Sequence, residues 1–143
     1  MIRMSFTIKT DGLRAYQRNL ETLTLVVNTT AANIEADAKQ SIMARQSRGN
    51  AYSAGGRTGY HALPGNPPNT DTGNLAGSIM SKPIRPAVAE VRVGAEYAIP
   101  LEIGWITAGG SHAGPFPFLS PATERHRKPF QQAVATVLKG RKP

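Results

Sequence analysis

Hydrophobic and polar positions alternate at the start of the chain. Ile2, Met4, Phe6 and Ile8 share one parity, and Arg3, Ser5, Thr7 and Lys9 the other. A period of two predicts a strand over 2–10. Asp11-Gly12 marks a turn, and Thr10 or Asp11 suits the N-cap of the next element. From Leu13 the period lengthens. Leu13, Tyr16, Leu20, Leu23, Val27, Ala31, Ile34, Ala38 and Ile42 step by three or four, the spacing of an α-helix face. Arg14, Arg18, Glu21, Asn28, Glu35 and Lys39 occupy the other side. An unbroken helix over 13–45 would be about 50 Å long. The β-branched run at 22–30 lowers helix propensity. The apolar stripe is expected to override it, with a kink near Asn28.

Over 47–70 the periodicity disappears, and five glycines and three prolines take its place. A segment of this length without a pattern predicts an extended loop or arm, either functional or ordered on binding. Arg48, Tyr52, Arg57, Tyr60 and His61 lie in it. They suit a nucleic-acid contact or an arm that orders against a neighbouring subunit. Order resumes at 71–79, where Asp71 or Thr72 can cap a short helix with Leu75 and Ile79 inward. Two strands come next at 79–85 and 87–93, divided by Pro86. In the second, Ala89, Val91 and Val93 face one way and Glu90 and Arg92 the other. Residues 97–104 read as one or two helical turns with Pro100 early. A glycine-rich link leads to a proline-locked extended piece at 115–119. Ser120 and Pro121 suit the N-cap and first position of a last helix, with Phe130, Ala133, Val134, Val137 and Leu138 inward. Pro129 should kink that helix or split off its first turn. Residues 139–143 form a basic tail.

Composition changes the picture mainly through charge. The 143 residues carry 17 Lys and Arg against 9 Asp and Glu, a net +8. Such an excess favours acidic partners or nucleic acid, or else a solvated basic surface. No run approaches the roughly 20 apolar residues of a membrane span. The first residues lack the apolar core of a signal peptide, so synthesis in the cytoplasm is expected. There is no cysteine, which removes disulfides, thiolate catalysis and Cys-based zinc sites.

Nothing in the sequence assembles a catalytic constellation. His61, His112 and His126 have no partner at metal-ligand spacing. Gly55-Gly56-Arg57-Thr58-Gly59 lacks the Lys-Ser/Thr of a phosphate-binding loop. Ser78 and Ser120 have no nucleophile-elbow context. Glu102 stands alone in an apolar turn between Leu101 and Ile103. A lone carboxylate there reads as a hydrogen-bond acceptor or ion-pair partner, since an unpaired buried charge is costly. No enzyme, no cofactor and no metal is the expectation. Leu20, Val27, Ile34, Leu75, Ile79, Tyr97, Leu101, Phe116 and Phe118 are the expected core anchors. Glu102 is expected to hold the 104–114 link or a neighbouring subunit's cation.

Three groups of residues occur in a telling order. They are Thr72-Gly73-Asn74-Leu75 with Ser78-Ile79; Val93-Gly94-Ala95-Glu96-Tyr97-Ala98 with Leu101-Glu102-Ile103-Gly104; and Pro117-Phe118-Leu119-Ser120-Pro121-Ala122. Together with the amphipathic N-terminal helix, this order resembles the tail-completion or neck proteins of long-tailed bacteriophages, of the lambda minor tail protein Z type. The likeness spans nearly the whole chain. One departure is Trp105, where the family usually has Thr after the Glu-x-Gly glycine.

The resemblance implies one α+β domain over 1–143, with the long N-terminal helix and the C-terminal helix packed on a small, mainly antiparallel sheet. It implies a ring, six subunits being the expected number, at the head–tail junction. The partners would be further copies of the chain, a head-closure protein and a tail terminator or tube protein. Double-stranded DNA would pass through without sequence-specific binding. The location would be the virion, and the host cytoplasm during assembly. Arg48, Tyr52, Arg57, Tyr60, His61, Glu102 and Trp105 are the candidate subunit-interface residues. The alternative is a small basic nucleic-acid-binding module.

Overall fold

A computed structural model describes residues 1–7, 19–44 and 48–139. The fold is α+β. In chain order the elements are β1 (Ile2–Thr7), α1 (Leu20–Met43), β2 (Ala51–Ala54), β3 (Arg57–Tyr60), α2 (Asn74–Gly77), β4 (Ile79–Arg85), β5 (Val88–Val93), α3 (Ala98–Ile103), β6 (Trp105–Ile106), β7 (His112–Ala113) and α4 (Leu119–Leu138). The main sheet is antiparallel with order β1-β5-β4, and β2–β3 and β6–β7 form two small ribbons. The expected strand residues 8–10, helix residues 13–18 and 45, and tail residues 140–143 lie outside the described residues.

The apolar stripe of α1 is its buried face. Leu23, Val27, Ala31, Ile34, Ala38 and Ile42 are buried, and the helix runs through the β-branched stretch without a break. Each large aliphatic side chain removed from water contributes about 1.5–3 kcal/mol, more than the fraction of a kcal/mol that β-branching costs per residue. The stripe meets Ile79 of β4 and Ala89, Val91 and Val93 of β5, all fully buried. Glu35 reinforces this contact by accepting from the Ser81 N–H and hydroxyl, each at 2.6 Å.

The α4 helix lies against α1 and β1. Its buried face starts earlier than the sequence suggests, with Leu119, Ala122 and Thr123, and ends with Val137. Phe130, Val134 and Leu138 are partly buried against the core. The helix continues through Pro129 rather than losing its first turn.

The predicted strands at 79–85 and 87–93 form to within a residue. Between them Pro86 and Ala87 make a two-residue turn in which Ala87 has φ 55°, and its N–H donates to Thr24 Oγ1 at 2.9 Å.

Two expectations are corrected. Of the arm expected over 47–70, the described residues 48–70 are not patternless: β2 and β3 form an antiparallel ribbon around Gly55-Gly56, both at positive φ. The helix expected at 71–79 is confined to α2, and Ile79 already belongs to β4. Thr72 contributes to the entry of α2 by accepting from the Asn74 N–H at 3.3 Å.

Candidate functional site

The stretch from α3 to the start of α4 folds into a corner beside the main slab. Gly104 terminates α3 at φ 84°, and a Cβ there would lie 2.9 Å from the Ala113 carbonyl oxygen. Gly114 approaches from the facing strand at φ 79°. The two glycines let β6 and β7 close directly over the end of α3. The link expected between them is thus a ribbon, with Trp105 paired to Ala113 and Ile106 to His112. The Phe116 N–H then donates to the Leu101 carbonyl at 2.7 Å.

Glu102 is directed at the start of α4. Its Oε2 accepts from the N–H groups of Phe118 (3.0 Å) and Leu119 (3.1 Å). Its Oε1 accepts from the Ser120 N–H (2.8 Å) and from the Ser120 hydroxyl. The first N–H groups of a helix have no partner within it, and its N-terminus carries positive partial charge. A carboxylate answers both needs. Phe118 therefore occupies the N-cap position assigned from sequence to Ser120, and the capping group comes from α3. Among the described residues Glu102 is directed at the start of α4 rather than at the 104–114 link.

Between this corner and the β2–β3 ribbon lies an open, largely apolar groove of about 570 Å³. The ribbon supplies Tyr52 and Tyr60, with His61 directly after it, and the corner supplies Tyr97, Trp105 and Phe116. The Tyr52 and His61 rings are 4.8 Å apart, and Trp105 and Phe116 5.9 Å apart. Tyr52 lies across Gly59, its register partner, where a Cβ would lie 2.9 Å from the tyrosine hydroxyl oxygen and 3.0 Å from the ring. The Arg48 guanidinium sits 5.5 Å from the Tyr60 ring centre, within cation–π range.

Five of the seven expected interface residues, Arg48, Tyr52, Tyr60, His61 and Trp105, thus gather at or beside the groove. Arg57 stands apart at the ribbon's turn, 3.7 Å from the exposed Asp71 carboxylate. Glu102 serves the α4 cap.

Of the core anchors, Val27, Ile34, Leu75, Ile79 and Phe118 are buried, while Leu20, Leu101 and Phe116 are half-buried. Tyr97 is 45% exposed, which corrects its place in the core. It precedes α3 at the groove's mouth, and its hydroxyl accepts from Asn74 Nδ2 at 3.2 Å.

Sequence reasoning passed over two polar ties of α1. Asp37 Oδ2 faces His126 Nε2 at 2.8 Å and Arg125 Nε at 3.3 Å on α4. Burial pushes the Asp37 carboxyl up, but His126 and then Arg125 outweigh it and hold it below its ordinary value of 3.8. Glu35 behaves alike. Burial raises it, and Lys39 and the two Ser81 donors bring it below 4.5. The signal for the first tie was a basic pair, Arg125-His126, on the expected α4, with nothing to name its partner.

Among the described residues no three of His, Asp and Glu cluster as metal ligands, and no helix is long and apolar enough to cross a membrane. No family model matches the chain, and no curated protein or solved structure is significantly similar to it.

Proposed function

We propose that this chain is a ring subunit at the head–tail junction of a long-tailed bacteriophage, joining the head-closure ring to the tail around a channel for DNA. The observation that carries this reading is a run of exposed apolar side chains along the corner. Ile99 is 41% exposed, Ile103 71% and Ile106 65%. Ile99 and Ile103 are four residues apart on α3 and share a face. Exposed apolar surface beside a groove marks an association site. Heterologous contacts of a ring need such a surface on one side and a receptive one on the other. The groove walled by Tyr52, Tyr60 and Trp105 supplies the second.

The resemblance adds to this reading in physical terms. Ala98 is fully buried, Glu102 caps α4, Gly104 admits Ala113, and Phe118 is fully buried. The signature residues build the corner that presents the apolar run. In this reading the partners are copies of the chain, a head-closure protein and a tail terminator or tube protein.

Light scattering of the purified chain, alone and with the head-closure protein, tests the proposal. A ring mass that collapses to monomer in Ile103→Asp, with circular dichroism unchanged, is expected. Virions that lack the protein, together with normal tail attachment after its deletion, would overturn the reading.

A further inference from the structure

The main sheet has one face covered by α1 and α4. Among the described residues no element covers the other. The register sets what that open face displays. Arg3, Arg92 and Met80 form one row across the three strands, and Ser5, Glu90 and Lys82 the next. A register shift between Pro83 and Arg85 then inserts Ile84 and returns Arg85 to the open face opposite Val88. Without that extra residue Arg85 would point toward the helices, because strand side chains alternate. Four cations thus surround one acid.

That acid, Glu90, is only 4% exposed although it stands on an uncovered face. It pairs with Nε of Arg3 and with Nε of Arg92, the latter at 2.7 Å. The Arg3 side chain is 60% exposed and that of Arg92 37%. Glu90 acts as a buried anchor that fixes two arginines side by side. Lys82 and Arg85 are exposed and have no acidic partner among the described residues.

We infer that this open sheet face binds the phosphate backbone of duplex nucleic acid. Successive rows on one face are about 6.7 Å apart, so the cations span roughly 13 Å along the strands. Duplex DNA presents a charge every ~1.7 Å of its axis, enough to meet all four. The described face carries no aromatic side chain, so it offers no stacking platform for single strands and no base readout. The contact is to phosphates and independent of sequence. It uses a surface distinct from the groove, and it does not depend on ring formation.

The test is fluorescence anisotropy of the full chain with a labelled random-sequence duplex, titrated at about 50 to 200 mM salt. Each neutralised phosphate contributes about 0.9 to the log–log salt slope. Lys82→Gln with Arg85→Gln should lower the slope by about two and weaken binding about tenfold at the higher salt. The charge-matched pair Lys128→Gln with Lys139→Gln, within and directly after α4, should change binding less than twofold. Neither pair removes a described ion pair, and thermal melting checks that both stay folded. Absence of binding at the lowest salt overturns the assignment. So does equal loss in the two double variants, which would make the effect one of bulk charge. Equal capture of anionic phosphatidylserine vesicles, or tighter binding of single strands than of duplex, would also overturn it.

Discussion

The slab formed by α1, α4 and the main sheet differs from the corner formed by α3, β6 and β7 in what holds it. In the slab many fully buried aliphatic side chains share the work, from Leu23 to Val137, and no single contact dominates. In the corner few side chains are buried. A pair of facing glycines, one capping carboxylate and one ring contact set its shape. The slab is stabilised by area. The corner is held by geometry, which leaves its apolar side chains free to face outward.

That contrast predicts how each region fails. Ile34→Ala removes a fully buried side chain from the slab and should cost about 3 kcal/mol, read as a lower urea midpoint at unchanged slope. Trp105→Ala in the corner should cost well under half of that, because the ring is 40% exposed. If the two costs proved equal, the distinction would be lost.

Glu102→Ala comes next. It orphans the N–H groups of Phe118, Leu119 and Ser120 and should cost about 1–2 kcal/mol. Hydrogen exchange should speed up at those three amides while those of β5 stay protected. Uniform acceleration across the chain would show that the corner and the slab unfold together.

The smallest effect is with pH. Glu35 and Asp37 have folded pKa values below their ordinary 4.5 and 3.8. A lowered carboxylate pKa stabilises the fold above its ordinary value, and that stabilisation is lost as pH falls through the lowered one. Acidification from about pH 6 to pH 3 should therefore loosen the ties of α1 to β4 and α4. Each tie is partly exposed and should contribute less than about 1 kcal/mol. Glu35→Gln with Asp37→Asn should flatten the acid limb of stability, and an unaltered limb would remove these carboxylates from the account.

The slab was largely legible in the sequence because burial follows period. The stripe from Leu23 to Ile42 and the alternation of Ala89, Val91 and Val93 state their own structure. The corner was legible in its residues but not in its contacts. Glu102 stood out as a lone acid, yet its partners lie 16 to 18 residues away, beyond any local pattern. Tyr97 was misplaced because an aromatic beside Ala98 reads as core, whereas the short α3 turns only Ala98 fully inward. The β2–β3 ribbon was missed because Ala51–Ala54 and Arg57–Tyr60 bury almost nothing. The pair Gly55-Gly56 is a two-residue hairpin signal, and it was the one available cue.

The pairing of β1 with β5 has a consequence in time. β1 is made well before its partner strand, which lies more than 80 residues later. Met4 on β1 also meets the Thr123 hydroxyl on α4, and Asn19 donates to the Val137 carbonyl near the end of that helix. The first strand and the last helix close on each other, so most of the chain must leave the ribosome before the core can shut. During synthesis α1 emerges as an amphipathic helix whose apolar stripe has no cover. The interval before β5 and α4 arrive is when a growing chain has most to gain from a chaperone.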